Sequence, residues 1–386
     1  MKVLGMLFVV VCAVSLWVLE PISLNPFSTQ SYLISSDSSL YNCSPSQTND
    51  VDILITETVS SKKLLGVSTG FFSKKCGSYL ASVGFSNKSD RLTLDYRTPV
   101  RIASIAKPMT AVAIMQLVEQ GAVDLDQAVS QYLPQVKGTP LEQATIRQLL
   151  NHSSGIAHYA SPLASMSFTN YPTLIDATKT FINKPLAHAP GTAFKYSSYG
   201  YTVLGALIEE VSKLSYEQYM RENIWSKAGM VDTSVERFGR QVDSSKLYIK
   251  VSSKFIRSPV TDLSIIASAG GIQSTANDLL MFGRAIIDNR LISRDSLEQM
   301  IDVNEALSER IGDDPYGLGW AVLKDRNQNR LIAHSGNQFG ASSFLSIDLE
   351  RAFVSAVISN AANSKGSVYK LNRNIIKRMV VGQNYL

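Results

Sequence analysis

Apolar and polar positions change rhythm several times along this 386-residue chain. Residues 3–19 form a nearly unbroken apolar run behind Lys2, ended by Glu20 and Pro21. A cationic start followed by an apolar stretch of this length is the pattern of an export signal, and 1–23 is read as a signal peptide or an N-terminal membrane anchor. Residues 24–50 are rich in Ser, Asn, Thr and Gln and predict a flexible linker. Between 51 and 100, short alternating or β-branched runs such as 51–55 and 79–85 are separated by Gly and Lys-Ser turns. They predict hairpins of an antiparallel sheet.

The rhythm then becomes helical. Residues 105–119 lack Gly and are apolar around the whole circumference, which predicts a buried helix that Gly121 terminates. Helical patterns continue to about 235, including 199–211 and 216–228, before strands return at 331–334, 341–347 and 353–358. A basic amphipathic helix at 368–380 closes the chain, with Ile375, Ile376, Met379 and Val380 placed to pack on the sheet. Strands, then helices, then strands predict an α+β fold. Its antiparallel sheet is flanked by helices and completed by both chain ends, with a mostly helical lobe at about 111–260 inserted in a domain of 51–386. The cleft between lobe and sheet is the expected place for chemistry.

Composition narrows the function. Hydrophobic residues make up 45% and charged residues 18%, enough for a sizeable core. The net charge of +5 comes from scattered Lys and Arg without interleaved aromatics, which argues against nucleic-acid partners. His152, His158, His188 and His334 lack ligand spacing and acidic neighbours, so no metal is expected. No glycine loop for phosphate or dinucleotide appears, so no cofactor is expected. Cys43 and Cys76 either pair in an oxidising compartment or stay as two buried thiols.

Chemistry concentrates in three places. In Ser104-Ile105-Ala106-Lys107 the lysine stands three residues beyond the serine, on one face of a helix start. Serine needs a base within hydrogen-bond reach, and burial against an apolar helix favours the neutral amine that can serve. The same spacing in Ser60-Ser61-Lys62-Lys63 falls in a polar stretch and reads as a turn between strands. A buried helix has no structural use for Lys on its first turn, and this singles out Ser104 and Lys107. The second place is Tyr196, in a polar loop after Pro190-Gly191, where a phenol can relay a proton. The third is His334-Ser335-Gly336-Asn337 at the end of a strand, where small residues let a substrate backbone lie alongside the sheet. There the Asn337 amide can face that of Ser104 as an oxyanion hole.

These elements, in this order and spacing, resemble the serine β-lactamase and penicillin-binding protein superfamily. Within it the chain is most similar to class C-type members and to the β-lactamase-like serine protease branch. Arg101-Ile102-Ala103-Ser104-Ile105-Ala106-Lys107-Pro108, Leu149-Leu150-Asn151-His152-Ser153-Ser154-Gly155-Ile156 and Tyr196-Ser197-Ser198-Tyr199-Gly200-Tyr201 carry the resemblance. Ser268-Ala269-Gly270-Gly271, Tyr316-Gly317-Leu318-Gly319-Trp320 and His334-Ser335-Gly336 complete it. The resemblance implies that Ser104 forms an acyl-enzyme, Lys107 is its base, and Tyr196 shuttles the proton to the leaving group. It implies a substrate strand at His334-Ser335-Gly336, a second oxyanion N–H from Asn337, and a structural turn at 152–155.

Two departures shape the expected substrate. Ser198 stands where many relatives carry Asn, and a hydroxyl reaches a substrate amide less well. His334 replaces a lysine, which removes a fixed cation for a carboxylate. The expectation is therefore a peptide, ester or cell-wall-derived substrate, with peptidase or D,D-peptidase chemistry ahead of an esterase or weak β-lactamase. A non-catalytic binding or scaffolding module is the alternative of another class. Should His334 act as an imidazolium, affinity for anionic substrates would rise toward pH 6. An exported location, with possible membrane attachment through the N-terminus, completes the expectation.

Overall fold

A computed structural model describes residues 34–42, 45–61, 63–159, 168–237, 244–303, 315–324 and 328–380. The apolar segment 1–23, Cys12 and Cys43 lie outside them. No described helix is long and apolar enough to cross a membrane.

The main sheet is antiparallel and runs in the order β1 (Ile34–Asp37), β3 (Gly77–Asn87), β2 (Gly66–Ser73), β13 (Phe353–Ser359), β12 (Ala341–Asp348), β11 (Arg330–Gln338) and β10 (Ala321–Lys324). The short β4 (Leu92–Thr93) pairs with β3. The two ends of the chain meet at β2 and β13, where Phe353 pairs with Ser73 and Ser359 with Val67. Alternation along β13 sends Phe353 and Val357 to one face and Val354, Ala356 and Ile358 to the other.

On the first face, α1 (Pro45–Ser60) and the C-terminal α6 (Lys365–Val380) cover Val67, Phe71, Tyr79 and Val83. Phe71 stacks on Phe353 with ring centroids 5.9 Å apart. Ile375 and Ile376 are buried here, and Met379 and Val380 pack against them, as the closing helix pattern predicts. The second face carries the larger core, built from α2 (Ala106–Glu119), α3 (Ser198–Ser212), α4 (Ala276–Ile287) and α5 (Arg294–Ile301) with shorter helical segments between them.

Two sequence expectations are corrected near the start. The residues read as a linker enter the fold at Ile34, because β1 pairs with β3 from Ile34↔Val83 to Asp37↔Leu80. The run 51–55, read as a strand, belongs to α1. Val51, Ile55 and Val59 are buried at helical spacing, whereas Ile53 is exposed. Ser60 accordingly ends a helix rather than a strand, and its hydroxyl bonds the Glu57 carbonyl. Cys76 is disulfide-bonded, and its partner lies outside the described residues.

The region 111–260 is helical up to about 228 and then returns to strands. There β6 (Ser234–Val235) joins β5 (Val100–Arg101) and β9 (Ile272–Ser274), while β7 (Tyr248–Val251) and β8 (Lys254–Arg257) join β14 (Ala361–Ala362). The β5–β9–β6 sheet sets the approach to Ser104.

Candidate active site

Ser104 sits in a tight turn, Ala103–Ile105, between β5 and α2. Ala103 holds φ at 49°, a left-handed backbone that costs energy for a residue with a Cβ. Three contacts keep the turn in place. The Ile102 amide donates to the Ile272 carbonyl at 3.0 Å. The Ile102 carbonyl accepts from the Ser343 hydroxyl at 2.7 Å. Gly336 passes so close that a Cβ there would lie 2.3 Å from the Ile102 carbonyl and 2.2 Å from Ser343 Oγ. Gly336→Ala is therefore expected to push β11 off the turn, costing roughly 1–3 kcal/mol by overpacking and lowering turnover. Urea unfolding and hydrolysis rates read the two effects separately.

Lys107 is fully buried on the first turn of α2. Its Nζ donates to the Ala269 carbonyl at 2.8 Å, to Ser104 Oγ at 3.1 Å and to Ser198 Oγ at 3.3 Å. Burial lowers its pKa from 10.5 to about 7. The Nζ also lies 4.8 Å from the centre of the Tyr196 ring, and the Tyr196 phenol lies beside Ser104. Burial raises the Tyr196 phenol pKa, so it stays protonated through the neutral range.

Two histidines hold this tyrosine by its neighbours. The Ser197 amide donates to His152 Nδ1 at 3.2 Å, and the Ser198 amide donates to His158 Nδ1 at 3.0 Å. The Ser197 side chain caps α3 by accepting from the Gly200 amide. The His152 ring lies 4.3 Å from Tyr196 and 4.9 Å from Tyr316. Burial lowers the pKa of both histidines, His158 to about 4. They are neutral acceptors that anchor the loop.

His334 is nearly fully buried. Its Nδ1 meets the Ser335 carbonyl at 2.8 Å, so Nδ1 carries the proton. Its Nε2 therefore accepts from the Tyr316 hydroxyl at 3.1 Å. Burial first, then the Lys107 charge, lowers its pKa to about 3. This corrects the imidazolium expectation: His334 stays neutral down to well below pH 6 and gains no charge for an anionic substrate there.

Ser104 and Ser198 both accept hydrogen bonds from Lys107, and the Tyr196 ring lies against the Lys107 amine. Gly336 abuts the Ser104 turn. Half-buried Ser335 receives the His334 ring proton through its carbonyl. Exposed Asn337 accepts from the Ser342 hydroxyl at 3.1 Å through its side chain. Ser198 belongs to the Lys107 hydrogen-bond set, a placement its reading as a substrate contact did not include.

The remaining motifs gain physical roles. Ala269 supplies the carbonyl for Lys107, and Ser268 ties α2 to α3 through Thr110 and the Tyr201 carbonyl. Gly319, at φ 91°, lets the 316–320 segment rest on α2, where a Cβ would be 2.6 Å from that of Ala111. A cavity of about 530 Å³ is lined in part by Phe194 and Tyr316, but Ser104, Lys107 and Tyr196 do not line it. Among the described residues no cluster of three His, Cys, Asp or Glu is placed to hold a metal.

Residues 51–378 match the family model described as Beta-lactamase. The chain belongs to the beta-lactamase family. It is 28% identical to a penicillin-binding protein of Bacillus subtilis over 291 residues, 69% of this chain and 62% of that protein. It thus spans less than two thirds of that relative's length. It is 25% identical to the mitochondrial serine beta-lactamase-like protein LACTB of Homo sapiens, over 76% of this chain and 70% of that one. The D-amino acid amidase of Ochrobactrum anthropi shares the fold at a TM-score of 0.76 and 21% identity, covering 86% of this chain and 98% of the amidase. These neighbours bear out the antiparallel sheet flanked by helices as a beta-lactamase-family fold.

Proposed function

We propose that this beta-lactamase-family chain is a serine hydrolase that acts through an acyl-enzyme on Ser104. The observation that carries the reading is the buried Lys107 amine, 3.1 Å from Ser104 Oγ with its pKa lowered to about 7. As Ser104 Oγ bonds the acyl carbon, its proton passes to neutral Lys107. The oxyanion takes the backbone N–H groups of Ser104 and Asn337. Tyr196, beside Ser104 and Lys107, gives its proton to the departing amine or alcohol as that group's bond to the acyl carbon breaks, and the proton held by Lys107 restores the phenol. Water then takes the place of the leaving group, and the acyl–Ser104 bond breaks with the same groups working in reverse.

The proposed substrate is a peptide amide or an ester without a carboxylate beside the scissile bond, with peptidase chemistry favoured. A neutral His334 supports this, since the strand position that faces the site carries no charge. The family's amidase neighbour and penicillin-binding relative point to amides as well. The disulfide at Cys76 supports an exported location, where oxidised thiols persist.

A fluorophosphonate probe tests the nucleophile. Mass spectrometry is expected to find one adduct, on the peptide that carries Ser104. An adduct elsewhere, or substrate turnover that survives complete labelling, overturns the assignment. A matched pair of substrates that end in a carboxamide or a carboxylate tests the specificity, and the carboxamide is expected to react at least tenfold faster.

A further inference from the structure

Arg101, on β5, is almost completely buried three residues before Ser104. Its Nε donates to Glu236 Oε2 at 2.8 Å and its Nη2 to Glu236 Oε1, so the guanidinium grips the carboxylate with two bonds. Its Nη1 donates to the Phe339 carbonyl. Phe339 and Gly340 form the turn of the β11–β12 hairpin, two residues beyond Asn337. Glu236 follows β6, and its amide donates to the Gly271 carbonyl at 2.8 Å. Gly271 stands two residues beyond Ala269, whose carbonyl holds Lys107.

One guanidinium therefore connects the strand before Ser104 and the hairpin after Asn337, and reaches the segment after Ala269 through Glu236. Stability alone is a poor reason for this arrangement, because a buried ion pair seldom improves on apolar packing. A planar fork that satisfies a carboxylate and a carbonyl at fixed angles is well suited to setting distances.

We infer that Arg101, held by Glu236, is a positioning residue that fixes the spacing between Ser104 and the Asn337 backbone amide across the reacting carbonyl. The inference rests on the serine-hydrolase reading of Ser104. Arg101 does not reach the substrate. Its effect belongs to the transition state, where the oxyanion draws on both amides, and a displacement of about 1 Å in such a site costs about a hundredfold in rate.

The test compares Arg101→Lys and Glu236→Gln with the parent in hydrolysis of an uncharged p-nitrophenyl ester. Rates are expressed per Ser104 that an endpoint fluorophosphonate titration labels. An ammonium in place of the fork cannot hold carboxylate and carbonyl together, and an amide in place of the carboxylate releases the guanidinium. Both variants are expected to lose roughly ten- to a hundredfold in kcat, with KM within about threefold. A purely structural role predicts a lower melting temperature with kcat per labelled serine unchanged. That result overturns the inference, as does a loss confined to KM. Should Arg101→Lys fail to fold, Glu236→Gln decides alone, since Glu236 is the partly exposed end of the pair. Ser104→Ala is assayed alongside: retained turnover in that variant removes the serine reading itself, whereas its loss with intact Arg101→Lys kinetics removes only the positioning role.

Discussion

Ser104→Ala is expected to lower kcat by about 10⁴–10⁶-fold and to abolish fluorophosphonate labelling, a loss of the size seen when a nucleophile is removed from an acyl-transfer site. The fold should tolerate the change. Lys107 keeps the Ala269 carbonyl and the Ser198 hydroxyl as partners when Ser104 Oγ is gone. The Ile102 and Gly336 contacts that hold the turn do not involve the serine side chain. The melting temperature is thus expected within a few degrees of the parent, and the kinetic loss then reports chemistry rather than unfolding. A Ser104→Ala enzyme that hydrolyses esters at the parent rate would falsify the mechanism.

The second large effect is the dependence on pH. Lys107 must be neutral to accept the Ser104 proton, and burial places its pKa at about 7. The kcat/KM profile is expected to rise about tenfold per pH unit below that value and to level off above it. His152, His158 and His334 add no limb across pH 5 to 9, because burial lowers all three, His158 to about 4 and His334 to about 3. Lys107→Met should remove the limb and most of the rate together. Lys107→Arg should be equally inactive, since a guanidinium stays charged. A flat profile from pH 5.5 to 8.5 in the parent would exclude Lys107 as the base.

The same shift has a sign for stability. The unfolded chain keeps the lysine proton up to pH 10.5, whereas the folded chain releases it near 7. The unfolded state therefore binds more protons between these values. This residue contributes stability that rises with pH through that window and is absent below it.

Much of the site was legible in the sequence, because its rarest feature is a local one. Lysine on the first turn of a mostly apolar helix is a costly choice that stands out without a structure, and α2 buries Lys107 as that pattern demands. The strands read at 331–334, 341–347 and 353–358 appear within β11, β12 and β13. The misreading of 51–55 has a simple cause. Exposed Ile53 completes a false period of two inside a helix whose true stripe is Val51, Ile55 and Val59.

What the sequence hides is contact between distant segments. Nothing near Arg101 announces Glu236 or Phe339, more than a hundred residues away in the chain. Tyr316 stood out only as part of a motif, and its hydroxyl on His334 Nε2 is visible only in three dimensions. The charge state of His334 followed the same rule. A histidine in a sequence suggests titration near neutrality, whereas burial beside Lys107 moves it far below.

The seam between β2 and β13 has a consequence for how the protein is made. Ser73 must wait for Phe353, and every rung of that ladder joins residues at opposite ends of the domain. Such distant pairings are slow to form, because the entropy of closing the loop is lost before the contacts repay it. On a ribosome, β2 and β3 emerge long before their neighbour exists, and the Ser104 turn has neither Ser343 nor Gly336 to rest on. The nascent chain therefore carries the Ser104 turn without its supports until residues 336–343 have been added, and truncation within β13 leaves the central sheet split in two.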